Sequence, residues 1–481
     1  MTKLDRRQFL TTSLIAGAAV ITPDMALAGA TPPGWALGVA DVEADVPLEA
    51  LLLVQGKVPA GLSTTLFRNG PAKFRRGDSA AGHWFDGDGL VRRWHVRDGK
   101  ATLNARFVDT PKRRLETKLN AMVQPGFGTA QRPGSVVNGP DDTNAANTGV
   151  LVNGGQLYAL WEGGSATMLD AETLSTQGPK AFRRDLKQMP FSAHPRVERD
   201  GTVWNFGGNG KSTFIWKLNA DGSLAKAEMV ALDRKSYFHD FTMTARHLII
   251  VLQPWVQEEF KLPMSTGMRW KPEMGTQVLV IDKDDFSKRR VFELPAFSFF
   301  HLADGWEETD GTIRFDGCLE ANPTFGQTAA SALIRGEHIK APTPMLTQIV
   351  LYANGKAEMK STRTAAEFPS SDRRVAGQAR RITTHVTGFR GTPFPHAIAR
   401  WDWSKGRDDK HDFGSHQLVE EFLFVASGAG ESDGWLIGTT LNLKAQKTEL
   451  HLLNAARLSD GPVATWQTSL ALPLGFHGTV A

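Results

Sequence analysis

Short β-type runs closed by Gly, Asp or Asn turns return along this chain from about residue 50 onward, and no other feature restricts its possible folds so strongly. The segments from Gly155 to Gly164, from Asp200 to Gly208, from Asp310 to Gly317 and from Asp433 to Gly438 each read as turn, alternating strand and turn, without a strict repeat. The 47 Gly and 25 Pro agree with many turns and few long helices. A length of 481 residues ordinarily implies two or three domains, closed all-β architectures being the main exception. Units of roughly 60 residues would give about seven over the mature chain, within the blade counts of a β-propeller. A stacked pair of β-sandwiches is the competing architecture. The propeller is favoured because it brings residues from distant parts of the sequence to one axis.

The expectation is therefore an all-β, seven-bladed β-propeller, with short helices and loops forming a cap over its top face. Lys112 to Met122 has helical spacing, Ala329 to Ile334 is a shorter candidate, and Trp255 to Met264 places large apolar residues in an apparent loop. That loop either caps the core or forms an exposed apolar rim for peripheral membrane contact or collection of a greasy substrate.

The N-terminus reads as an address. Asp5-Arg6-Arg7-Gln8-Phe9-Leu10 is a twin-arginine pattern, Ser13 to Ile21 is a short apolar run, and Ala26-Leu27-Ala28 is a small-residue cleavage site. Residues 1–28 are expected to be an export signal and 29–481 one propeller domain, placing the mature protein in the periplasm. The apolar run is too short to span a bilayer, and no later segment is long and apolar enough.

Acidic and basic residues are interspersed and the net charge is only +4, so nothing suggests nucleic-acid binding. Thirteen Trp and 27 Phe against three Tyr suggest buried aromatic walls. With Cys318 as the only cysteine, an intramolecular disulfide and a thiolate zinc cluster are both excluded.

Four of the thirteen histidines lie in apolar settings ahead of turns: Ser192-Ala193-His194-Pro195, Tyr237-Phe238-His239-Asp240-Phe241, Phe299-Phe300-His301-Leu302 and Gly475-Phe476-His477-Gly478. Packing fixes the neighbours of such an imidazole, so one ring nitrogen can face a cavity while a second group holds the other. Their separations of about 45, 62 and 176 residues imply a site converging from four elements. No local H-E-x-x-H pattern occurs. Imidazole-only ligation suits iron, copper or zinc and does not choose among them. The other nine, His83, His95, His247, His338, His385, His396, His411, His416 and His451, sit in polar or turn-like surroundings where solvated or structural roles are the default.

From Leu66-Phe67-Arg68-Asn69-Gly70-Pro71 to the final residues the chain resembles the carotenoid cleavage oxygenases. Trp84-Phe85-Asp86-Gly87-Asp88-Gly89-Leu90, Ala193-His194-Pro195, His239-Asp240-Phe241, His301 followed by Glu307-Glu308, and Gly475-Phe476-His477-Gly478 carry the likeness in this order. The resemblance implies a seven-bladed propeller holding one Fe(2+) per chain on His194, His239, His301 and His477. It further implies that Glu162, Glu367 and Glu421 orient three of those rings. The chain departs from the family at Phe422, where a proline is usual, and at Ser370-Ser371.

The resemblance implies a non-haem Fe(II) dioxygenase adding O2 across one double bond of an apolar conjugated substrate, which breaks into two carbonyls. No acid or base beyond the metal centre is demanded, and the protein contributes metal geometry, water exclusion and a tunnel. A carotenoid or apocarotenoid is the expected substrate. Stilbene-cleaving members engage a phenol through a tyrosine and a lysine, and the corresponding stretches here hold Phe107 and Thr129. Cleavage of a phenolic stilbene or phenylpropene is the alternative, and an inactive exported propeller binding an apolar ligand is a third.

Overall fold

In the computed structural model, residues 33–208, 211–390 and 392–481 are described. The expected export signal lies outside them. Seven four- or five-stranded antiparallel sheets form the blades of a propeller. The innermost strand of blade 2 is Gly149–Asn153, of blade 3 Arg196–Val197, and of blade 4 Thr242–Met243. Those of blades 5, 6 and 7 are Ser298–Glu307, Glu367–Ser370 and Gln417–Ala426. Blade 1 takes its innermost strand from the far end of the sequence: Gly478–Val480 pairs with Ser63–Arg68. Blade 7 in return takes its outermost strand, Leu52–Gly56, from the early chain, paired with Pro462–Gln467. The ring is thus closed by two exchanges.

The recurring turn signature has a local cause. In Asp200-Gly201-Thr202 and Asp310-Gly311-Thr312 the aspartate accepts the threonine N–H at 2.9 and 2.8 Å while the glycine takes φ of 87° and 83°. A short acceptor and a residue free of Cβ strain make the turn without tertiary help. Strands in the middle of a blade are covered on both faces by neighbouring blades, so they read as continuous apolar runs. His247–Leu252 and Thr276–Asp282 are buried almost throughout. The largest core packs Phe238, Ile250, Val280, Phe315 and Ile349 across blades 3 to 5.

The helix expected at Lys112 to Met122 runs from Pro111–Leu119. Thr110 caps it by accepting from Arg113 N–H at 3.2 Å, and Asn120 ends it in the left-handed region. The second candidate is a π-turn, Phe325–Ala329, continuing into Ala330–Leu333. It packs with Trp35, Trp84, Phe394 and Phe476 over the top of the ring. The Trp255–Met264 stretch divides in two. Trp255 and Val256 are core residues of a short strand paired with Met268–Trp270, whereas Phe260 is 82% exposed. No helix of the described residues is long and apolar enough to cross a membrane.

The two aspartates of the Phe85-Asp86-Gly87-Asp88-Gly89 turn do separate work. Asp86 accepts from the N–H groups of Phe127, Gly128 and Thr129 at 2.7 to 2.9 Å, which folds that loop against the cavity. Asp88 is buried against Lys112 (2.9 Å), Arg113 (3.4 Å) and Arg76. Burial pushes its pKa up, but the three cations outweigh burial and hold it below the ordinary 3.8. A depressed folded-state pKa means that the stabilisation is present above the unfolded value and is lost as pH falls below about 4. The D88N variant is accordingly expected to lose about 3–5 kcal/mol at pH 7, because buried cations lose their counter-charge. Its deficit should shrink in urea titrations run toward pH 3.

Candidate metal centre

Each of the four predicted histidines reaches the propeller axis at the mouth of a different blade. His194 precedes the inner strand of blade 3 and His239 that of blade 4. His301 lies on that of blade 5, and His477 immediately precedes Gly478–Val480 in blade 1. The ring nitrogens they can offer to a metal all lie within 4.8 Å of one another. Nε2 of His194 is 2.7 Å from Nε2 of His239, and Nε2 of His477 is 3.0 Å from Nε2 of His301.

The far side of three rings meets a carboxylate. Nδ1–H of His239 donates to Glu162, that of His301 to Glu367 at 2.5 Å, and that of His477 to Glu421 at 3.3 Å. The Tyr237 hydroxyl also donates to Glu162, at 2.9 Å. A ring that donates from Nδ1 carries its lone pair on Nε2. Four nitrogen atoms thus converge, and at 2.7 to 3.0 Å uncharged lone pairs repel. A cation among them turns that repulsion into ligation. Nitrogens about 2.0–2.1 Å from one ion sit roughly 3 Å apart when adjacent, so the donor set fits a metal. Burial, and then the neighbouring imidazoles, hold His194 and His239 well below the ordinary imidazole range, in the neutral form that a ligand needs. His301 goes the other way: burial lowers its pKa, but the charges of Glu367, Asp240 and Glu421 together raise it.

The adjacent Glu420 and Glu421 are both buried because the inner strand of blade 7 shifts register between Val419 and Phe422. The bulge sends them to different tasks. Glu421 takes His477 and the N–H of Gly478 at 2.8 Å, whereas Glu420 takes Arg92 at 3.3 Å and the N–H of Gly475. Arg68 spans the pair, with Nη1 3.5 Å from Glu421 and 3.1 Å from the Phe476 carbonyl.

Asp240 received no role from sequence, although His239-Asp240-Phe241 was singled out. Its carboxylate accepts from Arg196 at 2.7 and 2.8 Å, from Phe241 N–H at 2.8 Å and from Leu302 N–H at 2.8 Å. Those partners lie next to or near His194, His239 and His301, so one side chain ties three ligand-bearing segments together. Phe368 was also missed. It takes φ of 51°, unusual for a bulky residue, which lets Glu367 face His301 while its own ring stacks on that imidazole at 4.9 Å.

A cavity of about 640 Å³ opens from His239, His301 and His477 toward the cap, walled by aromatics including Phe85, Trp161, Phe300 and Phe476. Phe107 and Thr129 do not line it. Phe107 is on the fourth strand out from the axis of blade 1, buried under the Arg113 guanidinium at 4.0 Å. Thr129 bonds Asp86 at 2.7 Å. Neither faces the cavity, so the lack of a tyrosine and a lysine at these two positions does not weigh against a phenolic substrate. Of the remaining histidines, His83, His385, His396 and His451 are buried, so of the two roles expected for them the structural one applies and the solvated one does not. His83, for example, links Phe85 N–H at 3.1 Å to the Gly326 carbonyl at 3.0 Å, fastening the cap. Cys318 is buried and unpaired.

The sequence profile of the retinal pigment epithelial membrane protein family matches residues 39–480. The chain belongs to this family, that of the carotenoid cleavage oxygenases. Among its relatives, the apocarotenoid-15,15'-oxygenase of Synechocystis is 27% identical over 89% of this chain and 92% of its own length. Lignostilbene-alpha,beta-dioxygenase isozyme III of Sphingomonas paucimobilis is 28% identical over 89% of this chain and 93% of its own. In fold, the cobalt-substituted Synechocystis apocarotenoid oxygenase superimposes with a TM-score of 0.85 at 24% identity, covering 94% of this chain and 99% of the other. Family members thus share this propeller over nearly the whole described chain.

Proposed function

We propose that this protein is a non-haem Fe(II) dioxygenase that cleaves one double bond of an apolar, conjugated substrate, an apocarotenoid, into two carbonyl products. The observation that carries this reading is a centre of four imidazole nitrogens, three backed by glutamates, facing an aromatic cavity. A neutral ligand set leaves a divalent ion its full charge, unlike sites that include a carboxylate. Bound there by His194, His239, His301 and His477, iron supplies the O2 chemistry. Glu162, Glu367 and Glu421 fix the tautomers and raise ligand basicity. Phe85, Phe300 and Phe476 keep water away and leave a conjugated chain few orientations. The relatives named for apocarotenoid and lignostilbene cleavage support double-bond cleavage as the shared outcome. An inactive binding propeller would have no need of intact imidazoles with their glutamates.

Phe260, Leu262 and Ile339, exposed at 82%, 41% and 41%, flank the cavity mouth. They support entry of an apolar substrate from a membrane surface. The Arg6-Arg7 signal supports export of the folded protein to the periplasm.

The deciding experiment is iron analysis of anaerobically prepared protein, followed by O2 uptake and product analysis with an apocarotenal and a hydroxystilbene. One iron per chain and two carbonyl fragments per O2 from the apocarotenal are expected. Turnover of the stilbene alone would move the protein to the stilbene-cleaving branch. A folded protein that takes up no iron would end the oxygenase reading.

A further inference from the structure

Among the described residues, three carboxyl groups line the cavity, and two of them are committed to the imidazoles of the candidate centre. The third, Glu320, ends the second strand of blade 5, Ile313–Glu320, directly across from Ser298. It is 6% exposed, and that remainder opens to the cavity. Its one hydrogen bond is accepted from the Ser298 hydroxyl at 3.2 Å. Among the described residues, no cation pairs with it and no second donor reaches it. A buried carboxyl with a single hydrogen bond is only partly satisfied, and a hydrophobic residue would suit an aromatic wall better. Its position accounts for its presence if the missing partner belongs to the ligand.

We propose that Glu320 is a specificity-determining residue that hydrogen-bonds a hydroxyl group on the substrate and so sets which double bond lies at the metal centre. The proposal deepens the double-bond-cleavage reading and rests on it for the word substrate. Burial, reinforced by the charge of Glu367, raises the Glu320 pKa to about 8. A neutral carboxyl both donates and accepts, and a hydroxyl is the group that answers both. An unsubstituted polyene or stilbene would leave the acid with Ser298 alone, whereas a phenol or ring alcohol would supply its remaining hydrogen bonds. The site therefore favours hydroxylated members of whichever conjugated class it accepts.

Equilibrium binding tests this separately from turnover. Trp84 and Trp161 line the cavity, so quenching of tryptophan fluorescence under anaerobic conditions reports occupancy. The probes are 4-hydroxystilbene against stilbene, and a 3-hydroxy-apocarotenal against the unsubstituted aldehyde. The parent protein is expected to bind the hydroxylated member of at least one pair roughly tenfold more tightly. E320L should abolish that preference by weakening the hydroxylated probe alone, and E320Q should retain part of it. E320Q is the control against misfolding, checked by its melting curve and iron content. An unchanged ratio in both variants, or no preference in the parent, would overturn the assignment. Absence of iron or O2 uptake with the binding preference intact would instead overturn the oxygenase reading and leave Glu320 as a hydroxyl-recognising group.

Discussion

Replacing His301 by alanine is expected to abolish iron binding at the four-histidine centre while leaving the propeller folded. The ring contributes one of the four converging nitrogens, and its loss leaves Glu367 and Phe368 with nothing to orient. The surrounding blade has little reason to fail. Ser298–Glu307 is held along its length by Ile313–Glu320, and Phe299 and Leu302 pack in the large core whether or not an imidazole lies between them. E367Q provides the graded comparison. It keeps the ring in place but weakens its acceptor, which in metal sites costs roughly 10–100-fold in affinity. Deletion of the ligand itself should exceed that. Iron content after anaerobic reloading, measured beside the calorimetric melting temperature of the metal-free forms, is the check. Iron retained at the parent level by H301A would show that the four nitrogens do not form the centre.

The second large effect is expected at a residue that touches no metal. D240N should lower the stability of the metal-free protein by about 3–5 kcal/mol and also impair iron uptake. The stability loss follows from Arg196, whose guanidinium would keep only Asp304 at 3.5 Å as a counter-charge. The uptake loss follows from geometry, since the amide cannot replace a carboxylate that serves Arg196, Phe241 N–H and Leu302 N–H together. Pairing D240N with R196M should recover stability, because the stranded charge is gone, without recovering iron affinity. Urea unfolding with and without metal distinguishes the two losses. Full iron affinity in D240N would mean that the ligand segments are set by their blades alone.

The parts of the fold legible in sequence were those whose causes are local. An Asp-Gly-Thr turn needs only its own side chain and a positive φ, so the blade hairpins could be read one at a time. The four histidines stood out because their packing neighbours adjoin them in sequence. Glu162, Glu367 and Glu421 came from resemblance, since a carboxylate on a strand or turn gives no local sign that an imidazole lies 56 to 77 residues away. The role of Asp240 was hidden for the same reason. A bulge in blade 7 decides between Glu420 and Glu421, and a bulge depends on register. Phe107 and Thr129 were matched to the phenol-engaging positions by resemblance alone, and a match along the sequence does not say which face of a strand or loop looks inward. The burial of His83, His385, His396 and His451 likewise comes from neighbouring blades and is invisible in the residues beside them.

The exchange of strands that closes the ring has a consequence for the metal. Gly478–Val480 completes a sheet whose next strand is Ser63–Arg68, so this pairing spans most of the sequence and carries a large loop-closure cost. His477 stands at that seam, while His194, His239 and His301 belong to blades that need no ring closure to form their hairpins. An ion held by all four therefore acts as a rivet. Peeling Gly478–Val480 away from Ser63–Arg68 breaks a short ladder of hydrogen bonds and frees His477 to leave the centre, so an opened ring would be left with three imidazoles and a weakened grip. Retention of a metal at this centre would thus also gauge whether the circle of blades is shut.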